Sequence, residues 1–422
     1  MIYSSHKHLP VSVVVGIILS MSIVFFAYAG QIDTPKGKKR IILNDDGQYG
    51  FFVGKLYNAE SLRTYALRLK GTNAWIFQWG VMIGNTVNYP SKVANLTGAR
   101  LSVEELNKVR SSDRRLITNL SKMTSEGVDT LQSIAQGCHE AGILCYASIR
   151  ANSCYKRNQP GWPDDVLARM NNDKFWWDHQ EYLIVDRYGK QQANLSYAFP
   201  EVRELKLAIV REIMQRDVDG IDIDFLRDPP FFGFERPVLN GFMDKYGIDP
   251  RSLPDSLKNI DNRWFSYRSD LMTSYMRSVR RIVDKAGTEK KRRLGVSVRI
   301  DHRMYRYWGL DVEQWIKEGI IDILVVGQYG QGGYTFDLTP FVKMSEGTGC
   351  LVFVSEEAVT GGTDPSPQDE IDIKAGKQVR KKGGRMTTQE YSDRARNWYN
   401  QGATGIHLFN ETNLDILKAL GE

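Results

Sequence analysis

An α/β fold of the (β/α)8 TIM-barrel class is predicted by three features of the 422-residue sequence. Short apolar runs alternate with helical patterns. Eight such runs can be counted. The long connections all follow strands, which in a barrel puts them on the carboxyl-end face.

The predicted strands are Arg40–Asn44, Asn73–Trp79, Ile143–Ile149, Gly220–Leu226, Arg293–Ile300, Ile321–Gln328, Cys350–Ser355 and Gly405–Phe409. Each is rich in Ile, Val, Leu or aromatic residues, as suits parallel strands covered on both faces. Helices are predicted over Ala59–Lys70, Glu126–Ala141, Glu201–Arg216, Phe265–Ala286, Val312–Glu318 and Thr388–Gln401. Several run into a glycine and then a strand, as in Ala141-Gly142-Ile143 and Glu318-Gly319-Ile320. Glycine there supplies the left-handed cap that turns the chain back toward the sheet. A doubly wound open sheet is the rival fold. It is disfavoured because the turn after the first strand, Asn44-Asp45-Asp46-Gly47, is acidic and suits no pyrophosphate. The long connections lie near 81–125, 152–200, 228–264 and 359–386, and carry aromatics such as Trp162, Trp176, Trp177 and Phe232 that fit a binding cleft.

Composition is that of a globular protein, with 42% hydrophobic and 25% charged residues. The net charge of +6 is spread over short runs, so no nucleic-acid partner is expected. Residues 11–28 form an apolar run ending in Ala27-Tyr28-Ala29, the pattern of a secretory signal peptide over 1–29, with an uncleaved membrane anchor as the alternative. The expectation is a secreted or periplasmic protein, with a single barrel domain over 30–422 that meets a membrane only through that segment. Cys138, Cys145, Cys154 and Cys350 permit two disulfides in an exported chain, and buried free thiols fit equally well.

The chemistry concentrates at the fourth strand, Asp219-Gly-Ile-Asp-Ile-Asp224. Asp222 and Asp224 alternate and so share a face. Buried carboxylates are costly unless paired, and two in succession are hard to assign to packing alone. The structural alternative is a polar layer bonded to neighbouring strands. The motif resembles the fourth-strand signature of family 18 chitinases, but Leu226 stands where that family has its catalytic Glu. The stretch through Asp-Phe-Leu-Arg-Asp-Pro-Pro-Phe-Phe232 is similar to the family-10-like, glycosyl hydrolase-like barrels of exported bacterial proteins. The resemblance implies a glycoside hydrolase with a fourth-strand carboxyl and a seventh-strand partner: Asp224 with Glu356 or Glu357, Glu356 preferred and Asp222 in support. Glycoside cleavage needs two such groups, one to protonate the leaving oxygen and one to act as nucleophile or activate water.

Substrate contacts are expected from other strand ends: Asp45, Trp79, Arg150, Arg227, Arg299, Asp301, Gln328, Tyr329, Asn410 and Glu411. Asp301 and Glu411 are also reserve carboxylates, and His407 reads as a core histidine. Trp75 and Trp79 share strand parity with Phe77, so Trp75 is assigned to core packing. The arginines either pair with the site's own carboxylates or hold an anionic glycan. No cofactor or catalytic metal is expected, because histidines are scarce, and no serine-hydrolase elbow or zincin helix occurs. The expected function is hydrolysis of O-glycosidic bonds in a polysaccharide or oligosaccharide. The alternative is a degenerate barrel that binds glycans without cleaving them.

Overall fold

The computed structural model describes Ile32, Gly37, 40–328, 335–357, the backbone of 359–360, 365–377 and 384–420. Eight parallel strands form the barrel: β1 (Ile41–Asp45), β2 (Ala74–Ile83), β3 (Leu144–Arg150), β4 (Gly220–Asp224), β5 (Gly295–Asp301), β6 (Ile323–Gly327), β7 (Leu351–Glu357) and β8 (Gly405–Phe409). Each pairs with its neighbour in sequence, and β1 pairs with both β2 and β8, which closes the sheet. Closure leaves no unpaired edge. The helices that follow the strands are α1 (Ala59–Leu67), α2 (Thr130–Ala141), α3 (Pro200–Ile213), α4 (Asn262–Lys290), α5 (Val312–Lys317), α6 (Thr339–Ser345), α7 (Thr388–Asn400) and α8 (Leu414–Ala419).

The expected strands are all present, with ends displaced by a few residues. The expected helix over Glu126–Ala141 begins only at Thr130, because Asp129 accepts a hydrogen bond from the Gln132 amide and caps it there. The segment before it forms a separate helix, Ser111–Ser125. The six- and seven-residue helices α8 and α6 had no counterpart in the sequence reading. All four cysteines are free, so neither of the two permitted disulfides forms. The signal-peptide or anchor segment lies outside the described residues. Among those described, no helix is long and apolar enough to cross a membrane.

The barrel interior is layered. Its amino-end floor is apolar: Ile42, Trp75, Ile76, Tyr146, Ile323, Val325 and Phe353 pack together. Tyr146 reaches across this floor because Gly220 and Gly295 lack side chains. A Cβ on Gly295 would lie 1.9 Å from the Tyr146 hydroxyl oxygen. Trp75 belongs to this floor, stacked 5.9 Å from Phe353, whereas Phe77 and Trp79 point outward. The β1–β2 register shifts between Ile41 and Ile42, which breaks the parity expected for Trp75 and Trp79. The larger hydrophobic core fills the space between the barrel's outer face and the helices.

Candidate active site

Above the apolar floor, the side chains of seven strands form one polar layer. Asp222 accepts hydrogen bonds from Ser148 Oγ (2.7 Å) and Ser297 Oγ (2.8 Å). Asn44 Nδ2 donates to Ser148 Oγ (3.3 Å) and to Gln78 Oε1 (3.1 Å), and Gln78 Nε2 donates to Ser297 Oγ (3.2 Å). His407 closes the ring, with Nε2 3.1 Å from Gln78 Oε1 and Nδ1 3.0 Å from Ser355 Oγ. Gln78 Oε1 can only accept, so the network puts the proton on His407 Nε2 and leaves Nδ1 to accept from Ser355. Burial, with Arg299 nearby, holds this histidine well below its usual range and keeps it neutral. Burial, reinforced by the charge of Asp224, pushes Asp222 up to about 7, although the two serines and Arg299 oppose it. Desolvation therefore dominates in this layer.

One layer higher, at the carboxyl-end mouth, the groups are charged. Arg299 is 1% exposed and places Nε 3.1 Å from Asp224 Oδ1 and Nη2 3.0 Å from Asp224 Oδ2. Its guanidinium lies 4.3 Å from the centre of the Phe409 ring. Arg227 lies over the same ring at 5.1 Å and approaches Glu357 Oε1 at 3.5 Å. Asp46 exchanges two hydrogen bonds with Asn410, each 2.9 Å, and its Oδ2 is 3.9 Å from Arg150 Nη2. Asn44, Asp46, Gly80, Ser148, Arg150, Asp224 and Phe409 line one small pocket here. Two glycines bring Asp46 to it. A Cβ on Gly80 would meet the Asp46 backbone at 2.5 Å, and one on Gly47 (φ +74°) would meet the Gly80 carbonyl oxygen at 1.9 Å.

The Asp219–Asp224 motif thus divides by depth. Asp219 is at the amino end, where it accepts from the Cys145 amide (2.8 Å) and contacts His139 Nε2 (2.9 Å). Asp222 belongs to the polar layer and Asp224 to the mouth. Leu226 is 1% exposed and packs against Gly327, where a Cβ would come within 3.0 Å of Leu226 Cδ1. An apolar contact thus stands two residues after Asp224.

Several expected site residues face elsewhere. Glu356 is the clearest correction: it points outward, accepting from Trp398 Nε1 (2.8 Å) and Arg394 Nη1 (2.9 Å) on α7. Burial raises its pKa against the pull of both partners. Strand alternation then puts Ser355 and Glu357 on the lumen side. Asp45 also points outward, accepting from the Tyr65 hydroxyl of α1 at 2.7 Å, and burial with the neighbouring Asp46 raises it to about 6. Trp79 is fully buried beneath α1, 6.1 Å from the Tyr65 ring, so no sugar can stack on it.

Glu411 faces α7, where it accepts from the Tyr391 hydroxyl (2.9 Å), and it also holds the amides of Thr412 and Asn413. Asn410, at φ +56°, ends the strand, so the parity that would aim Glu411 inward no longer applies. Asp301 accepts from the amides of Arg303 (2.8 Å) and Met304 (3.1 Å) and shapes the turn after β5. Gln328 closes β6 and bonds His302. Tyr329 lies outside the described residues.

Sequence reasoning missed Gln78, Ser148, Ser297 and Ser355 as parts of the site. A signal was available, because Gln78 is a lone polar residue inside an apolar strand, and Ser148, Ser297 and Ser355 share strand parity with Arg150, Arg299 and Glu357. Arg150, Arg227, Arg299 and Arg303 each face a carboxylate of this chain, Arg299 at 3.0 Å and the other three at 3.5–3.9 Å. Among the described residues, no cluster of His, Cys, Asp and Glu is arranged to hold a metal.

The fold and its carboxylate-lined mouth define a glycoside-hydrolase-like (β/α)8 barrel. The chain belongs to the glycosyl hydrolase-like 10 family, whose model matches residues 107–337, more than half of the 422 residues. The catalytic domain of a β-amylase from Paenibacillus polymyxa is similar in structure, with a TM-score of 0.51 at 10% identity, covering 91% of this chain and 94% of that one. This likeness bears on the fold alone. A β-galactosidase from Marinomonas ef1 gives a TM-score of 0.48 at 10% identity, covering 88% of this chain and 54% of that one. A chitinase from a Paenibacillus species gives 0.46 at 12% identity, covering 90% and 43%. In sequence, an S-layer-related protein of Niallia circulans is 22% identical over 208 residues, which is 43% of this chain and 12% of that much longer relative.

Proposed function

We propose that this protein is an exported glycoside hydrolase that cleaves O-glycosidic bonds of a polysaccharide or its oligomers, with Asp224 and Glu357 as the carboxyl pair. One observation carries the reading. These two groups stand on β4 and β7 and are each tied through an arginine, Arg299 or Arg227, to the same Phe409 ring, so both face one mouth. Asp224, gripped along both oxygens by Arg299, suits the group that must carry charge through the reaction, as nucleophile or as the base for water. Glu357 has one longer contact and keeps part of its side chain in solvent, which suits the proton donor to the leaving oxygen. Asp46 and Asn410 supply further hydrogen-bonding groups for sugar hydroxyls. The leader-like first 29 residues and the S-layer-related name of one relative support export, with residues 30–422 taken as the barrel unit.

A second reading has its own support. Leu226 removes one acid from the mouth and Asp224 is already paired, an arrangement that also suits a barrel that binds glycans without cleaving them. Reducing-sugar release across a panel of polysaccharides separates the two. For a hydrolase, Asp224→Asn and Glu357→Gln each lower turnover by about 100-fold or more, as expected on losing a positioned acid, base or nucleophile, while Glu356→Gln retains it. Full activity in both lumen-side variants rejects the assignment. Binding without turnover in the unaltered protein selects the second reading.

A further inference from the structure

A second cavity, of about 330 Å³, lies beside the mouth, over the loops that follow β4 and β5. Its walls come from the hairpin of Leu183–Val185 and Gln191–Leu195, the Phe231–Phe234 stretch, α4, and Tyr307-Trp308. Trp264 and Phe234 stack at 5.0 Å to form the buried inner face of the cavity wall, and Tyr188 and Tyr307 line it nearer the solvent. Against that face lies Arg268, only 5% exposed, with its guanidinium 4.5 Å from the Trp264 ring centre. Its Nε donates to the Trp264 carbonyl at 3.2 Å, but Nη2 has no hydrogen-bond partner among the described residues.

Leaving a buried guanidinium nitrogen unsatisfied is costly. Burial pulls Arg268 down to about 10, opposed by Asp255, Tyr307 and Glu235. The neighbouring Arg187 is different, because its two terminal nitrogens donate to the Arg251 and Leu253 carbonyls (3.1 and 2.9 Å). Asp255 offers the complementary vacancy. Its Oδ2 is 3.6 Å from Arg187, and its Oδ1 is buried without a donor.

We propose that this cavity is a second glycan-binding site that receives an acidic sugar residue, its carboxylate on Arg268 Nη2, a hydroxyl on Asp255 Oδ1 and an apolar ring face against the more accessible rings of Tyr188 and Tyr307. Each part answers one feature of the cavity: a spare donor on a cation, a spare acceptor, and an aromatic surface. A carboxylate fits better than a sulfate ester: among the described residues, Arg268 Nη2 and Trp264 Nε1 are the cavity's two buried donors without a partner, matching two oxygens rather than three. The mouth arginines already face carboxylates, so anion recognition falls to Arg268. The sugar part of the assignment rests on the glycan reading above, but not on cleavage.

The test uses the full chain carrying Asp224→Asn, so that turnover cannot interfere. Calorimetric titration compares tetragalacturonate, its carboxyl-reduced neutral tetramer, and acetate. The charged tetramer should bind at least about tenfold more tightly than the other two, the value of a hydrogen bond to a buried charge. Arg268→Met should erase that preference. Gln192→Trp, which fills the cavity from the hairpin and leaves Arg268 in place, should do the same, and it decides the matter if Arg268→Met does not fold. Equal binding of charged and neutral tetramers, acetate binding as tightly as the sugar, no binding at all, or an undiminished preference in a folded variant overturns the proposal. Reducing-sugar release by the protein with Asp224 intact judges the hydrolase reading separately.

Discussion

The polar layer in mid-barrel and the mouth above it use the same kinds of residue, yet they are built on different terms. In the layer, Asp222 is matched to two serine donors, and the amide and imidazole groups around it pass hydrogen bonds on to one another at 2.7–3.3 Å. Among the arginine–carboxylate pairs of the mouth described above, Arg299 and Asp224 meet at the shortest range. Glu357 and Asp46 face arginines at 3.5 and 3.9 Å. A ring of short bonds among neutral donors fixes a structure. Loosely held charges at an opening leave room for a ligand to compete. The supporting carboxylate therefore stands among neutral hydrogen-bonding partners, whereas the candidate catalytic ones, Asp224 and Glu357, face arginines.

The sharpest way to break this comparison is at the one place where the mouth resembles the layer. Arg299→Met leaves Asp224 buried without its cation, which should cost about 3–5 kcal/mol of stability, as for other buried pairs that lose one partner. Denaturant titration would read it as a lower midpoint at unchanged slope. A shift below about 1 kcal/mol would mean that the Asp224 pair is as loose as the rest of the mouth.

The layer is probed next through Asp222. Its pKa is raised from 3.8 to about 7, so between those values the folded chain holds a proton that the unfolded chain has released. Its contribution to stability is fully present below the unfolded value and is lost as pH rises through about 7. Asp222→Asn has no such proton. The stability of the unaltered protein relative to this variant should fall by up to about 1.4 kcal/mol per pH unit across that window. A constant difference from pH 4 to 8 would show that the serines, rather than desolvation, govern Asp222.

How much of this was legible in the sequence follows from what each residue's position depends on. The strand–helix alternation depends on local hydrophobic pattern, and all eight barrel strands were found from it. Asp224 could be singled out because strand alternation near a barrel's carboxyl end is a local property. Side-chain direction past a strand end is not. Asp45 and Glu356 lie on the outer side because β1 and β7 place Asn44, Ser355 and Glu357 inward, and that parity is set by pairing across the barrel. Trp75 defied its parity through a register shift invisible in one strand. Glu411 depended on the positive φ of Asn410 just before it. The Arg268 cavity assembles a hairpin, a loop and a helix far apart in sequence, so no local pattern announced it.

Adjacent residues give the smaller and more discriminating tests. Glu356→Ala strips the acceptor from Trp398 Nε1 and Arg394 on α7, so a cost of about 1–3 kcal/mol is expected with turnover per folded molecule unchanged. Loss of turnover in stable, folded Glu356→Ala would return that residue to the site. Glu357→Gln should behave in the opposite way. Its contact with Arg227 is 3.5 Å long and Oε1 accepts no hydrogen bond among the described residues, so the stability change should stay within about 1 kcal/mol. Thermal and denaturant melts would then hardly register a substitution that sugar release registers strongly. Should Glu357→Gln instead destabilise as much as Glu356→Ala, the two glutamates would share a structural role, and the mouth would have no carboxyl free to serve as acid.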